Sequence, residues 1–206
     1  MTARPWVLAT RNAGKLRELR PLFADAGIAV IDLSEAGVPE SSEEEDLERY
    51  DTFEENALAK ARWFAGRVGG LPVVADDSGL EVHALDGAPG VRSKRWSGRS
   101  DLHGAALDAA NNALLLDRLR GVRDRRAQFV CAAAWCDGEQ EFVVRGEVRG
   151  RIVEEHEAAG AHGFGYDPLF RADELGMTLA EATVAEKQSV SHRGRAFAML
   201  LSNRGS

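Results

Sequence analysis

The chain has 206 residues, of which 44% are apolar, and its formal net charge is -7. This length and composition predict one domain with a sizeable core, either undivided or built as two lobes around a cleft. The acidic balance argues against a general nucleic-acid-binding surface, so an anionic ligand needs a local group of cations or a metal ion. The sequence shows no long apolar run for a membrane span and no secretory signal pattern.

Both cysteines fall in one apolar run, FVCAAAWC. If this run is a strand, the odd separation of Cys131 and Cys136 places their side chains on opposite faces. We therefore expect neither a disulfide nor a shared metal site between them, which suits a reducing, cytoplasmic environment.

The N-terminal stretch predicts a strand over residues 5–10, a tight polar loop and a helix in LRELRPLFADAG. Helix starts bind anions because their N–H groups face outward. The loop offers phosphate a hydroxyl, an amide, a bare backbone and a cation, from Thr10, Asn12, Gly14 and Lys15. It lacks the first glycine of a P-loop and has Leu16 at the metal-binding hydroxyl position, so a simple strand-to-helix turn is an equal alternative.

An acidic stretch, Glu40–Glu48, is expected to form a solvated loop. Thr52 and Glu55 then form a capping-box pattern, which predicts the start of a helix. Asn56 and Lys60 lie one turn apart on the more polar face of this helix, where they reach either a cleft or solvent.

The stretch LPVVADDSGLEVHAL, Leu71–Leu85, is the centre of the chain's organisation. Two β-favouring runs separated by Asp76–Gly79 predict a strand, a tight turn and a second strand. Such a turn presents two carboxylates and a hydroxyl at the end of a buried strand, which is the oxygen chemistry that Mg²⁺ prefers. An ordinary turn of common turn formers is the alternative.

Several further elements are predicted from periodicity. The strands are Ile28–Leu33, Phe129–Cys136 and Glu141–Val153, and a long helix is Asp101–Arg120. A basic loop before that helix suggests phosphate binding or simple exposure, through Arg92, Lys94, Arg95 and Arg99.

The last third carries the glycine-rich stretch GAHGFGYDPLF, in which Phe164 either stacks on a planar base or packs in the core. Thr178 and Glu181 predict a short helix that opens with a capping box and ends near Lys187. The final helix begins in SHRGRAFAMLL, so that Lys187, His192 and Arg193 crowd the junction between the two helices.

Five stretches together resemble the inosine/xanthosine triphosphate pyrophosphatase family. They are VLATRNAGKLREL, TFEENALAKA, VVADDSGLEVHALDGAPGVRS, GFGYDPLF and EKQSVSHRGRA, in order along nearly the whole chain. The resemblance implies an α/β fold with two lobes, a long central mixed β-sheet flanked by helices, and an active-site cleft between the lobes. It also implies Mg²⁺, a homodimer, and hydrolysis of the small molecules ITP, dITP and XTP to a monophosphate and pyrophosphate.

The resemblance assigns roles position by position. Asp77 matches the metal-binding carboxylate and proton acceptor, Asp76 helps to orient water, and Ser78 contacts substrate. The triphosphate loop matches Thr10, Arg11, Asn12, Ala13, Gly14 and Lys15. The base-and-sugar pocket matches Phe164, Gly165, Tyr166, Asp167, Lys187, His192 and Arg193.

The second metal ligand is ambiguous, because EEEDLERYDTF is longer than the family pattern. An ungapped count back from Phe53 gives Glu48, whereas an insertion gives Glu44 or Glu45. Arg11 also stands where the family commonly has glycine. One alternative function is a related pyrophosphatase that acts on pyrimidine or modified nucleotides. Another is a catalytically silent nucleotide-binding protein, which would keep the anion loop but would not need Asp76 and Asp77, so the presence of this pair argues against it. The motifs do not rank inosine against xanthosine.

Overall fold

The computed structural model describes residues 4–155 and 165–203. The strands are β1 (Trp6–Leu8), β2 (Val30–Asp32), β3 (Val73–Val82), β4 (Arg126–Cys136), β5 (Glu141–Ile152) and β6 (Phe170–Ala172). The α-helices are α1 (Ala13–Asp25), α2 (Phe53–Ala65), α3 (Gly104–Arg118), α4 (Val184–Ser189) and α5 (His192–Asn203). Short 3₁₀ helices cover Ser42–Glu48, His83–Leu85 and Gly90–Arg95.

The six strands form one sheet in the order β2-β1-β3-β4-β5-β6. Strand β1 runs parallel to both β2 and β3, whereas β5 runs antiparallel to β6. The sheet is therefore mixed, and with its helices it confirms the predicted α/β class. No helix in the described ranges is long and apolar enough to cross a membrane.

The chain divides into two compact units. The first consists of residues from Met1–Asp77, Cys131–Gly146 and Arg193–Ser206. Its core packs aromatic rings edge to face, with Phe23 centred 5.9 Å from Trp6 and 5.7 Å from Phe197. These contacts hold α1 and α5 against the sheet, because Leu19 and Leu200 complete the same buried cluster.

The second unit consists of residues from Ser78–Val130 and Glu147–His192. Its core joins the far half of β3 to α3 and to β6, through Leu80, Leu115 and Phe170. Phe129 meets Phe170 edge to face, with ring centroids 4.7 Å apart.

The predicted tight turn at Asp76–Gly79 is wrong, because β3 continues unbroken from Val73 to Val82. Nearly all of its residues are buried, and the two aspartates find charged or amide partners from distant parts of the chain. The chain turns only later, after the 3₁₀ helix His83–Leu85, where Asp86 adopts a left-handed φ of 51°.

Two helix predictions also need correction. The short helix α4 begins at Val184 under a capping box of Thr183 and Glu186, not at Thr178. Thr178 and Glu181 do make the same kind of bond, from the Thr178 N–H to Glu181 at 2.7 Å, but around a turn. The acidic stretch is partly a 3₁₀ helix rather than a loop, because Ser41 caps it.

Candidate active site

Asp76 and Asp77 leave β3 on opposite faces, because successive residues of a strand alternate. The Asp76 carboxylate is only 2% exposed, and its Oδ2 lies 2.8 Å from Lys15 Nζ and 3.2 Å from Arg193 Nε. The Arg193 guanidinium also pairs with Glu18 of α1. One buried carboxylate thereby ties together the start of α1, the middle of β3 and the start of α5.

The charges around Asp76 decide its ionisation. Burial alone raises the pKa of a carboxyl, but Lys15 and Arg193 outweigh it and hold the pKa of Asp76 well below its usual range. Burial likewise lowers the pKa of the Arg193 guanidinium, yet the charge of Asp76 raises it overall. Asp76 is therefore a carboxylate at any physiological pH.

Asp77 occupies a different environment. Its Oδ2 accepts a hydrogen bond from Asn56 Nδ2 at 2.9 Å, and the Asn56 side chain is fully buried. Asn56 is itself fixed by the backbone of Tyr50, whose N–H donates to Asn56 Oδ1 at 2.9 Å. Burial raises the pKa of Asp77, and the charge of Glu48 adds to this rise against the opposing charge of Lys60.

Lys60 connects Glu48 to β3. Its Nζ lies 2.7 Å from Glu48 Oε1 and also donates to the backbone carbonyl of Asp76. Burial lowers the pKa of Lys60, but Glu48, Asp76 and Asp77 outweigh it and raise the pKa overall. Asn56 and Lys60, one turn apart on α2, therefore both face inward.

The three candidate glutamates differ in their surroundings. Glu44 is engaged by Arg11, with Arg11 NH2 2.8 Å from Glu44 Oε1, and it also accepts from the Ser41 N–H. Glu45 is exposed on the 3₁₀ helix. Glu48 is joined through Lys60 to the strand that carries Asp77. This geometry favours Glu48 over the other two as the partner of Asp77.

The side chains around Asp77 include oxygen donors of the type that Mg²⁺ prefers. Within residues 4–155 and 165–203, no group of three or more His, Cys, Asp or Glu side chains could hold a metal. Mg²⁺, however, usually binds through one or two carboxylates and completes its shell with water and substrate phosphates. Asp77 and Glu48 supply two such carboxylates, and their mutual repulsion is what a divalent cation would relieve.

The predicted triphosphate loop begins α1, but its backbone is already occupied. Asn12 Oδ1 accepts from the N–H groups of Gly14 at 2.8 Å and Lys15 at 3.2 Å, and so caps the helix. Thr10 Oγ1 accepts from the Asn12 N–H at 3.2 Å. Ala13 is the first residue of the helix. The loop carries two cations, of which Arg11 pairs with Glu44 and Lys15 pairs with Asp76.

The predicted base-pocket residues of the second unit are also held by specific contacts. Lys187 Nζ lies 2.6 Å from Asp167 Oδ2, and Asp167 is buried. The Tyr166 hydroxyl donates to the Ser93 carbonyl at 2.8 Å. The His192 ring stacks on Phe129, with centroids 5.1 Å apart and planes at 14°. Phe164 lies outside the described residues, and Ser78 is half-buried in β3.

Some residues of the site had no role predicted from the sequence. Asn56 and Lys60 had the right spacing for one helix face, but the pattern did not decide between cleft and solvent. Glu18 pairs with Arg193 but is separated from it by most of the chain, so the local sequence around Glu18 does not predict this contact.

Comparison with known proteins gives consistent similarities over nearly the whole chain. The sequence model of the Ham1 family matches residues 6–203. The dITP/XTP pyrophosphatase of Frankia alni is 52% identical over 194 residues, covering 93% of this chain and 92% of the relative. That of Burkholderia pseudomallei is 48% identical over 202 residues, covering 97% and 92%. A solved HAM1 protein from Coxiella burnetii aligns with a TM-score of 0.83 at 36% identity, covering 98% of both chains.

Proposed function

Since the chain belongs to the Ham1 family, we propose that it hydrolyses ITP, dITP and XTP to the monophosphate and pyrophosphate with Mg²⁺. The names of the relatives, dITP/XTP pyrophosphatases, support this substrate class. The reaction would remove non-standard purine nucleotides from the nucleotide pool.

The observation that carries the proposal is the pair of adjacent aspartates with opposite environments. The pKa of Asp76 is lowered by nearby cations, chiefly Lys15 and Arg193, whereas the pKa of Asp77 is raised by burial and by Glu48. Titratable groups whose environments move their pKa values apart are typical of acid–base sites. The Asp77 carboxylate is held by Asn56, and before a cation binds its raised pKa favours accepting a proton, so we assign the general base to Asp77.

Hydrolysis of a phosphoanhydride depends mainly on positioning and on charge neutralisation. Lys15 supplies a cation for the triphosphate, and Asp76 holds its ammonium group in place. Asn56 orients the Asp77 carboxylate, which takes the proton from the attacking water. Asp76 faces away from Asp77 along the strand, so in this proposal it acts through Lys15 and not on the water.

Asp77 and Glu48 would hold the Mg²⁺ ion. When bound, Mg²⁺ supplies neutralisation of the charge on the phosphate oxygens. Lys60 keeps Glu48 directed toward β3 and offsets part of the repulsion between the two carboxylates.

Selection of the base is assigned to the second unit. Inosine and xanthosine carry a 6-keto oxygen, which accepts a hydrogen bond, whereas adenosine carries a donating 6-amino group. The Lys187 ammonium can only donate. The ammonium group would donate a hydrogen bond to the keto oxygen, whereas against the adenine amino group a donor would face a donor. Asp167 fixes the position of the Lys187 ammonium group.

A nucleotide panel with Mg²⁺ tests the proposal, with the monophosphate and the pyrophosphate both measured. We expect kcat/KM for ITP to exceed that for ATP by at least ~10²-fold, a modest share of what hydrogen-bonding sites achieve. If a pyrimidine or modified nucleotide were cleaved in preference to ITP, the protein would be a pyrophosphatase with a different substrate class. Binding of ITP without release of pyrophosphate would show a silent nucleotide-binding protein.

The proposal extends to a cytoplasmic homodimer. Cys131 and Cys136 are both free thiols, a state that is compatible with a reducing compartment. The homodimer is implied by the family resemblance, and sedimentation analysis of the purified protein tests it.

A further inference from the structure

Helix α3 holds both polar groups of the Gly165 backbone. Asp108 Oδ2 accepts from the Gly165 N–H at 2.9 Å, and Asn112 Nδ2 donates to the Gly165 carbonyl at 3.0 Å. The two side chains are four residues apart, so they project from one face of the helix. The orientation of the Asn112 amide follows from this contact, because a carbonyl oxygen can only accept.

Gly165 depends on these contacts for its conformation. It has a left-handed φ of 61°, and a Cβ placed on it would meet no atom of the described residues within 4 Å. Packing around a side chain therefore cannot fix this position, and glycine has the largest conformational freedom to lose on ordering. The two hydrogen bonds from α3 supply the restraint that packing does not.

Asn112 shows a second sign of this role. It is 6% exposed, and its Oδ1 has no hydrogen-bond partner among the residues that the structure describes. An unpaired buried carbonyl costs free energy that an apolar side chain would avoid. The hydrogen bond from the Asn112 amide to the Gly165 carbonyl offsets this cost.

The segment that starts at Gly165 leads directly into the proposed base pocket. Tyr166 is fixed by its bond to the Ser93 carbonyl, and Asp167 pairs with Lys187. The charge of Asp108 also contributes to raising the pKa of Tyr166, after the larger effect of burial, which keeps the hydroxyl a donor. Gly165, which is anchored by α3, is thus followed directly by two pocket residues that are themselves fixed.

We propose that Asp108 and Asn112 are positioning residues that set Gly165–Asp167 for recognition of the purine base. The inference rests on the proposed function, and neither side chain is assigned a contact with substrate. Loss of the anchor should weaken base selection while the chemical step, which belongs to Asp77 in the other unit, is preserved.

Steady-state kinetics of Asp108→Ala and Asn112→Leu with ITP and ATP test this role. We expect KM for ITP to rise ~10-fold, as for one lost hydrogen bond, with kcat little changed and the ITP-to-ATP ratio of kcat/KM reduced. Asp108→Asn should recover most of the loss, because its amide oxygen can still accept from Gly165. Asp117→Ala is the matched control, since Asp117 is an exposed residue of the same helix.

Equal losses of kcat for both nucleotides, or an unchanged KM for ITP, would overturn the inference. Binding of inosine monophosphate to the same variants separates it from the proposed function. If wild-type protein binds the monophosphate but does not hydrolyse ITP, only the proposed reaction fails, and weaker binding by Asp108→Ala still supports the anchor. If wild-type protein does neither, both are overturned.

Discussion

Replacing either of the two adjacent aspartates with asparagine should change stability in opposite directions. Asp76→Asn removes a buried negative charge that lies 2.8 Å from Lys15 and 3.2 Å from Arg193. Breaking a buried ion pair from one side typically costs ~3–5 kcal/mol, because the remaining charge is uncompensated. Arg193 keeps Glu18 and Lys15 is partly exposed, so we expect the lower end, about 3 kcal/mol. For a chain of this size, that loss lowers Tm by ~6–12 °C.

Asp77→Asn should instead raise stability at pH 7. A carboxyl whose pKa is raised by folding contributes stability at low pH and loses it as the pH rises through the raised pKa. At neutral pH the buried charge of Asp77 is therefore a net cost. Asparagine removes this charge and can still accept from Asn56, so Tm should rise. Activity should fall by at least ~10²-fold, the low end for loss of a general base.

Thermal and urea unfolding at pH 7, with a chelator present, measures both effects. The chelator matters because a bound cation would offset the cost of the Asp77 charge. Asp101→Asn is the control, since Asp101 forms an exposed pair with Arg99 and its replacement should hardly move the unfolding midpoint. Shifts of the same sign for Asp76→Asn and Asp77→Asn would refute the reasoning.

The pH dependence provides a second check on Asp76. Its pKa is lowered by folding, so its contribution to stability is present at neutral pH and is lost as the pH falls below the ordinary aspartate range. The difference in stability between the wild type and Asp76→Asn should therefore shrink on acidification. A difference that is constant down to low pH would contradict an electrostatic role.

Three further predictions concern the ligands of the site. Glu48→Gln should raise the Mg²⁺ concentration for half-maximal activity, while Glu44→Gln and Glu45→Gln should not; a shift confined to Glu45→Gln would transfer the role. Arg193→Ala should lower the free energy of unfolding by ~3 kcal/mol, because it leaves a buried carboxylate with one cation fewer; an unchanged urea midpoint would contradict this. Lys187→Met should reduce the ratio of kcat/KM for ITP to that for ATP, and an unchanged ratio would remove Lys187 from base selection.

The mixed α/β fold was predictable because apolar periodicity and family motifs cover most of the chain. The continuity of β3 was not. Asp, Ser and Gly are common turn formers, so the local sequence predicts a turn at Asp-Asp-Ser-Gly. The local sequence does not reveal the distant residues that pair with the two carboxylates when they are buried. Those partners come from far away in sequence, since Arg193 is 117 residues from Asp76. A strand interior tolerates these aspartates only because the folded protein supplies cations and an amide at those positions.

The predicted start of α4 was wrong for a different reason. Both Thr178–Glu181 and Thr183–Glu186 have the spacing of a capping box, and both make the bonds that the pattern predicts. Only the second is followed by a helix, because the residues after Thr178 form a single turn that ends at Thr183, the extended N-cap of α4. A capping pattern specifies local hydrogen bonds and does not by itself decide whether a helix continues.

The strand conformation of β3 gives the two aspartates their different chemistry. In a tight turn both carboxylates would face the same solvent and repel each other. In a strand they alternate, so one lies among cations and the other lies near Glu48, Asn56 and Lys60. A one-residue slip of register would exchange these environments. Asp77 would then pair with Lys15 and Arg193, its pKa would fall, and it would become a poor proton acceptor. The register of β3 is therefore itself a requirement for the proposed general base.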